Sequence, residues 1–211
     1  MYVPETEEEQ LEQLKSWLKD YGPSFIIGVV LALSVGFGWN YWQQRQLRLS
    51  EQASIAYTRV LNDLVEDNVE DARIKAEAIV TTFKHTPYAL WSAMALAKMD
   101  VDEKKYADAK THLQWVMDHA KDASLLQTAR LRFAKVLLAE KNNALALTTL
   151  NKVDDATFEG LIEETKGDIY AAAGETEKAV VAYKKAIRIL KEQGIANPAF
   201  LIMKLQNVDA L

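Results

Sequence analysis

No cysteine occurs in the 211 residues. That absence removes a disulfide framework, thiolate zinc sites and a cysteine nucleophile, though it leaves the compartment open because exported proteins also dispense with cysteine. Glycine (8) and proline (4) are too scarce for a collagen-like, low-complexity or turn-rich β-sandwich chain. Positive charge is short as well: 25 Lys and Arg against 30 Asp and Glu give a net charge of −5, which lacks the basic face of a general nucleic-acid binder. The three histidines, His85, His112 and His119, fall in no metal-spaced motif. His112 and His119 read as solvated or capping residues. No glycine-rich phosphate cradle and no G-x-S-x-G is present, and the acid pairs Asp154-Asp155 and Glu163-Glu164 read as surface residues. The expectation is a protein without enzyme activity, cofactor or metal. What the chain does have is 49% hydrophobic residues, enough to bury a core.

The charge is unevenly spread. Residues 1–20 carry six acids and two bases, residues 21–44 carry no charge, and residues 45–211 carry 24 acids and 23 bases. The uncharged block runs for 24 residues, and its middle, Phe25 to Trp39, is apolar. A bilayer core of ~30 Å needs about 20 helical residues, and only a helix satisfies its own backbone in lipid, so residues 23–44 are expected to be a transmembrane helix. Tyr21 at one end and Trp39, Tyr41 and Trp42 at the other suit the headgroup region. A buried helix of a soluble domain would leave no polar face. A cleaved signal peptide would have a basic head and a small-residue cleavage site.

Ser24, Gly28, Ala32 and Gly36 recur every fourth residue and form a candidate face for packing against another membrane helix. Ahead of the block, Leu11, Leu14, Trp17, Leu18 and Tyr21 share one helical face, so residues 1–22 read as an acidic tail and an amphipathic surface helix, with Gly22-Pro23 as the break before the span. Lys15 and Lys19 before the span balance Arg45 and Arg48 after it, so charge does not settle the orientation.

Residues 45–211 show helical periodicity and an internal repeat. The clearest unit, Gly160 to Gln193, carries Gly167, Tyr170, Gly174, Ala179, Tyr183 and Ala186 at the offsets of a tetratricopeptide helix–turn–helix. Small residues at the eighth and twentieth positions let the paired helices touch. Weaker copies use Ala134, Leu137, Ala146, Leu150 and Val153, then Ala97, Ala109, Leu113 and Val116. A fourth, poorer copy uses Leu64, Ala76, Val80 and Phe83. The fold class is therefore all-α: one N-terminal transmembrane helix followed by a tetratricopeptide-like α-solenoid. Gly174 and Gly194 stop helices, and a final capping helix starts at Asn197-Pro198.

In such a solenoid the first helix of each repeat lines the concave face. The register places Trp91, Met94, Lys98 and Val101 there, then Thr128, Leu131, Lys135 and Leu138, then Leu161, Glu164, Asp168 and Ala171. Trp91, Met94, Lys98, Leu131, Lys135 and Leu138 form the candidate protein-binding groove, apolar surface with lysine. The competing reading makes its apolar members core, or covers them with the terminal helix.

The order of parts resembles a known family. Leu14 to Gly22, the Gly-Trp-Asn-Tyr-Trp run at Gly38–Trp42 and the Ala-Ser-Ile-Ala-Tyr run at Ala53–Tyr57 are similar to the YfgM family, the ancillary subunit of the bacterial SecYEG translocon. The resemblance implies a single-pass Gram-negative inner-membrane protein, its amino end cytoplasmic and its solenoid periplasmic. It implies a non-enzymatic partner of SecYEG and of the periplasmic chaperone PpiD, set among membrane lipid and in reach of translocating polypeptides. The alternative expectation is a homo-oligomeric envelope-assembly scaffold.

Overall fold

The computed structural model describes residues 7–153, 155–194 and 198–210; within the first helix many side chains up to Val29 lie outside the description. Among the described residues the chain is helical and holds no strand. The helices are α1 (Glu7–Val65), α2 (Val69–Thr82), α3 (Pro87–Asp102), α4 (Tyr106–His119), α5 (Ala123–Ala139), α6 (Asn143–Leu150), α7 (Glu159–Ala172), α8 (Thr176–Glu192) and α9 (Ala199–Asp209), with a 3-10 turn at Ala156–Phe158. Contacts divide the chain into two compact units, one ending at Glu51 and one running from Gln52 to Leu211.

In the first unit α1 runs unbroken through Gly22 and Pro23, where the sequence reading placed a break. A proline deletes one N–H from the ladder but does not end a helix by itself when both flanks continue it. Every described side chain from Phe25 to Gln44 is exposed. Ser34 donates its hydroxyl back to the Val30 carbonyl at 2.7 Å, so the hydroxyl is satisfied within the helix. Trp39 and Trp42 lie with ring centroids 5.4 Å apart. Among the described residues no helix is long and apolar enough to cross a membrane. The side chains of Ser24, Ile26, Ile27 and Val29 lie outside those residues.

The second unit is an array of helical pairs: the end of α1 with α2, α3 with α4, α5 with α6, and α7 with α8. Each pair closes by the same turn. A residue in left-handed conformation follows the first helix: Asp67 (φ 62°), Lys104 (φ 61°), Lys141 (φ 62°) and Gly174 (φ 74°). The next residue's N–H then reaches back to a carbonyl five positions earlier: Asn68 to Asp63 (2.8 Å), Lys105 to Asp100 (2.7 Å), Asn142 to Leu137 (2.9 Å) and Glu175 to Tyr170 (2.8 Å). These are Schellman closures, and they satisfy carbonyls that the helix end leaves free. Only the Gly174 turn advertises itself in sequence, because the other three place Asp or Lys where glycine is the easier choice.

The helices of each pair meet through small residues. Ala72, Ala109, Ala146 and Ala179, at one position of the second helices, are all wholly buried. Twelve positions earlier, on the first helices, stand Val60, Ala97, Ala134 and Gly167, and Gly167 lets the Tyr183 ring approach. The sequence register of the second, third and fourth pairs is borne out: Leu113, Val116, Leu137, Leu150 and Tyr183 are core. The first pair is corrected. Its buried positions are Val60, Ala72, Ala76 and Ile79, while Leu64, Val80 and Phe83 only flank them. The offset is four residues, about one helical turn, which keeps the same face inward and so leaves periodicity unable to tell the two registers apart.

Second helix α6 is short, eight residues from Asn143 to Leu150. It ends at Leu150, after which Arg130 donates to the Lys152 carbonyl at 2.7 Å and Asp155 caps the 3-10 turn through the Thr157 N–H at 2.8 Å. Helix α9 follows Pro198 and packs Leu201 and Val208 onto Ala179, Tyr183, Ala186 and Leu190 of α8. It closes the apolar end that a solenoid otherwise leaves open. Asn197, the expected helix start, lies outside the described residues.

Candidate protein-binding groove

First helices line one face of the array, and two adjoining clefts open on it. One, of about 330 Å³, is lined by Met94, Lys98 and Val101 of α3 and by Arg132, Lys135 and Val136 of α5, among others. The other, of about 270 Å³, is lined by Tyr57 of α1, Trp91, Met94 and Lys98 of α3, and Leu125, Thr128 and Arg132 of α5. Met94, Lys98 and Arg132 border both clefts, so the two form one groove.

Helix α3 presents all four of its predicted groove positions. Pro87 at its first turn fixes where the helix starts, and the i, i+3, i+7, i+10 spacing then puts Trp91, Met94, Lys98 and Val101 along one stripe. Met94 is 6% exposed and forms the floor; Trp91 is 44% exposed and forms a wall. Trp91 belongs to an aromatic triad, with Tyr88 edge-on at 5.2 Å and Tyr57 at 5.9 Å between centroids. Burial pushes the Tyr57 hydroxyl up, and the nearby Arg132 cation offsets part of that.

Helix α5 splits its predicted positions. Thr128 and Lys135 reach the groove. Leu131 is instead core, clustered with Ile162 and Ile169 of α7, and Leu138 packs against the same cluster. The competing core reading therefore holds for these two leucines. The sequence reading missed Arg132, one residue past Leu131, and Tyr57. The offset register of the first pair hid Tyr57; a rotation of α5 by under a third of a turn brings Arg132 into line.

In the fourth pair Leu161 stays exposed, while the other three predicted positions are taken up by α9. Lys204 of α9 donates to Glu164 at 2.8 Å and to Asp168 at 2.8 and 2.9 Å. The Tyr183 hydroxyl donates to Asp168 at 2.8 Å, and Ala171 packs into the cluster beneath α9. Here the terminal helix takes up most of the predicted surface. The acid pair Glu163-Glu164 is corrected too: Glu163 is buried, accepting from Lys166 at 2.9 Å and Lys185 at 3.2 Å. Asp154 lies outside the described residues.

This lock predicts an alkaline transition. Burial works against the Lys204 ammonium, but hydrogen bonds to Asp168 and Glu164 outweigh it and hold the group above its ordinary value. Burial, then the hydrogen bond to Asp168, push the Tyr183 phenol upward. Both groups hold their proton more tightly folded than unfolded, so their contribution is complete below the unfolded values near pH ~10 and is lost as pH rises through the folded ones. The thermal midpoint followed by circular dichroism is expected to fall above pH ~10, and to fall less steeply in a Tyr183→Phe/Lys204→Met variant. Equal slopes would remove the lock as its cause.

His112 and His119 take structural places. His112 Nδ1 lies 2.8 Å from Asp100 Oδ2. His119 Nδ1 lies 2.8 Å from the Trp115 carbonyl, and its ring stacks on Trp115 at 4.3 Å. His85 is exposed. Among the described residues no three His, Asp or Glu side chains converge to hold a metal ion. Of the membrane-packing candidates, Gly28, Ala32 and Gly36 are exposed, and a Cβ built on Gly28 or Gly36 would meet nothing within 4 Å. The Ser24 side chain lies outside the described residues.

The profile of one family, described as a tetratricopeptide repeat-like domain, matches residues 15–210. A relative from Haemophilus influenzae named Ancillary SecYEG translocon subunit is 28% identical over 85% of this chain and 88% of its own length. A relative of the same name from Neisseria gonorrhoeae is 26% identical over 96% of this chain and 97% of its own. The solved structure of the MamA RS-1 ArsTM double mutant superimposes with a TM-score of 0.55 at 18% identity, over 77% of this chain and 97% of that one. The last is a likeness of fold.

Proposed function

The chain belongs to the tetratricopeptide repeat-like domain family, and from that premise we propose that it is an ancillary, non-enzymatic subunit of the SecYEG translocon. The observation that carries the reading is the extent of its likeness to proteins of that name, which runs over nearly the whole chain rather than over the repeats alone. The resemblance seen in Gly38–Trp42 and Ala53–Tyr57 points the same way.

Residues 23–44 are the proposed anchor. In support, that segment is helical, uncharged and exposed at every described side chain, and an apolar helix with no protein around it is at home in lipid. The acidic residues 1–22 lie on the cytoplasmic side. The solenoid of residues 45–211 lies in the periplasm of a Gram-negative cell, and the face of Ser24, Gly28, Ala32 and Gly36 packs on a neighbouring membrane helix. Tethering raises the effective concentration of the solenoid at the pore exit, so individually weak contacts suffice. In this setting the groove at Trp91, Met94, Lys98 and Lys135 links translocated polypeptides to a periplasmic chaperone such as PpiD.

A photo-crosslinking residue placed at Gly28 or at Trp91 in native membranes tests the reading. From Gly28 the expected products contain SecYEG subunits; from Trp91 they contain the chaperone or a translocating chain. Recovery of nothing but a second copy of this chain overturns it in favour of a homo-oligomeric scaffold. Protease digestion of the solenoid only from the cytoplasmic side overturns the topology.

A further inference from the structure

We propose that the groove between α3 and α5 selects an acidic polypeptide segment anchored by apolar side chains. The inference rests on the reading of the solenoid as a protein-binding module and adds what it binds. The apolar requirement comes from the floor and walls, Met94, Val101 and Trp91, which leave a half-exposed tryptophan beside open volume. A large aromatic on the edge of an unfilled apolar cleft is the usual anchor point of a protein interface.

The charge requirement comes from three cations on the same groove. Arg132 and Lys135 lie one turn apart on α5, and neither pairs with a carboxylate among the described residues. Among the described residues Lys98 has a single ion-pair partner, Asp102 on its own helix at 2.6 Å, with both side chains more than half exposed. Such a pair is worth little and is readily exchanged. Elsewhere on the array, cations that bridge helices are neutralised: Arg73 by Asp100, Lys110 by Glu140, Lys185 by Glu163 and Lys204 by Asp168. A positive groove on a chain of net charge −5 therefore attracts a segment of opposite sign while repelling basic ones. Carboxylates of the bound segment face Arg132, Lys135 and Lys98, and its apolar side chains enter the two clefts.

The test uses the full chain in discs of zwitterionic lipid, with empty discs as the blank. Three fluorescent peptides of one length are compared: Leu and Phe interleaved with Glu, the same with Lys for Glu, and the same with Ser for Leu and Phe. Wild type is expected to prefer the first over both others by about tenfold. The Arg132→Glu/Lys135→Glu variant loses that preference and gains affinity for the lysine peptide, while Lys184→Glu, away from the groove, changes neither. Unaltered thermal unfolding of the charge-reversed chain shows that it is folded. Equal binding of acidic and basic peptides, no binding of any peptide, or indifference to the Arg132→Glu/Lys135→Glu change overturns the inference. If crosslinks from Gly28 to SecYEG persist in that case, the translocon reading stands and only the groove's preference falls.

Discussion

Gly167→Ala is expected to destabilise the C-terminal end of the solenoid by about 2 kcal/mol or more, although alanine is the better helix former by about 1 kcal/mol. The reason is contact distance. A Cβ at position 167 would lie 2.4 Å from both Cδ1 and Cε1 of Tyr183. The ring has nowhere to go: it is 2% exposed, and its hydroxyl is fixed to Asp168 at 2.8 Å. Helices α7 and α8 must then separate, which loosens the cluster that seats α9. Gly160 offers the comparison. A Cβ there would meet the branched end of Leu190 at 2.7 Å, but that end can turn, so Gly160→Ala should cost less. Hydrogen exchange is the suitable measurement, because one repeat of an array can open without the rest. Protection should fall in α7, α8 and α9 and persist in α3 and α4. In Gly167→Ala/Tyr183→Ala the clash is gone, so the double variant should be no less stable than Tyr183→Ala alone. Full protection in Gly167→Ala would show that the helices do not rely on this approach.

Asp100→Ala should cost more, about 3 to 5 kcal/mol. The Asp100 side chain is 1% exposed and joins three helices. One oxygen accepts from Arg73 of α2 at 2.5 Å; the other faces His112 of α4 at 2.8 Å. Burial opposes the charge on Arg73, but hydrogen bonds to Asp100 and Glu103 outweigh it and hold the guanidinium above its ordinary value. Removing the carboxylate leaves a half-paired cation in the interior, and the remaining bond to Glu103 at 2.8 Å lies nearer solvent. The Asp100 backbone carbonyl also closes the Lys105 turn at 2.7 Å, so disturbance at this residue reaches the α3–α4 junction. Urea unfolding should show a lowered midpoint for Asp100→Ala. An Arg73→Met/Asp100→Leu variant should recover much of the loss, because a buried pair replaced by apolar groups is often nearly neutral. A loss below about 1 kcal/mol in Asp100→Ala would mean the site is wetter than its burial implies.

These two sites mark where sequence reasoning succeeds and where it stops. Gly167, Ala179 and Tyr183 were legible because a close helix approach needs a small residue at a fixed offset from a large one, and that offset lies within a single repeat. Asp100 was not: its partners Arg73 and His112 sit in other helices, and no local rule pairs them. Glu163 shows the same limit, since its cations come from Lys166 nearby and Lys185 across the helix pair. The groove falls between the two cases. Positions on α3 followed from the repeat register, and Pro87 starts the helix in keeping with it. Those on α5 did not, because Leu131 and Arg132 are adjacent and the helix rotation that turns one inward turns the other out. Tyr57 was lost with the register of the first pair, where a shift by one turn preserves the inward face.

The four identical turns carry a kinetic meaning. Each pair is closed by a bond spanning five residues and by side chains a few turns away, so a hairpin is complete as soon as its own second helix exists. Little of the native structure waits for distant sequence, the condition under which chains fold fastest. A polypeptide delivered amino end first can thus zip up one pair at a time, each new hairpin finding the previous one as its template, with α9 arriving last as the lid on the growing end.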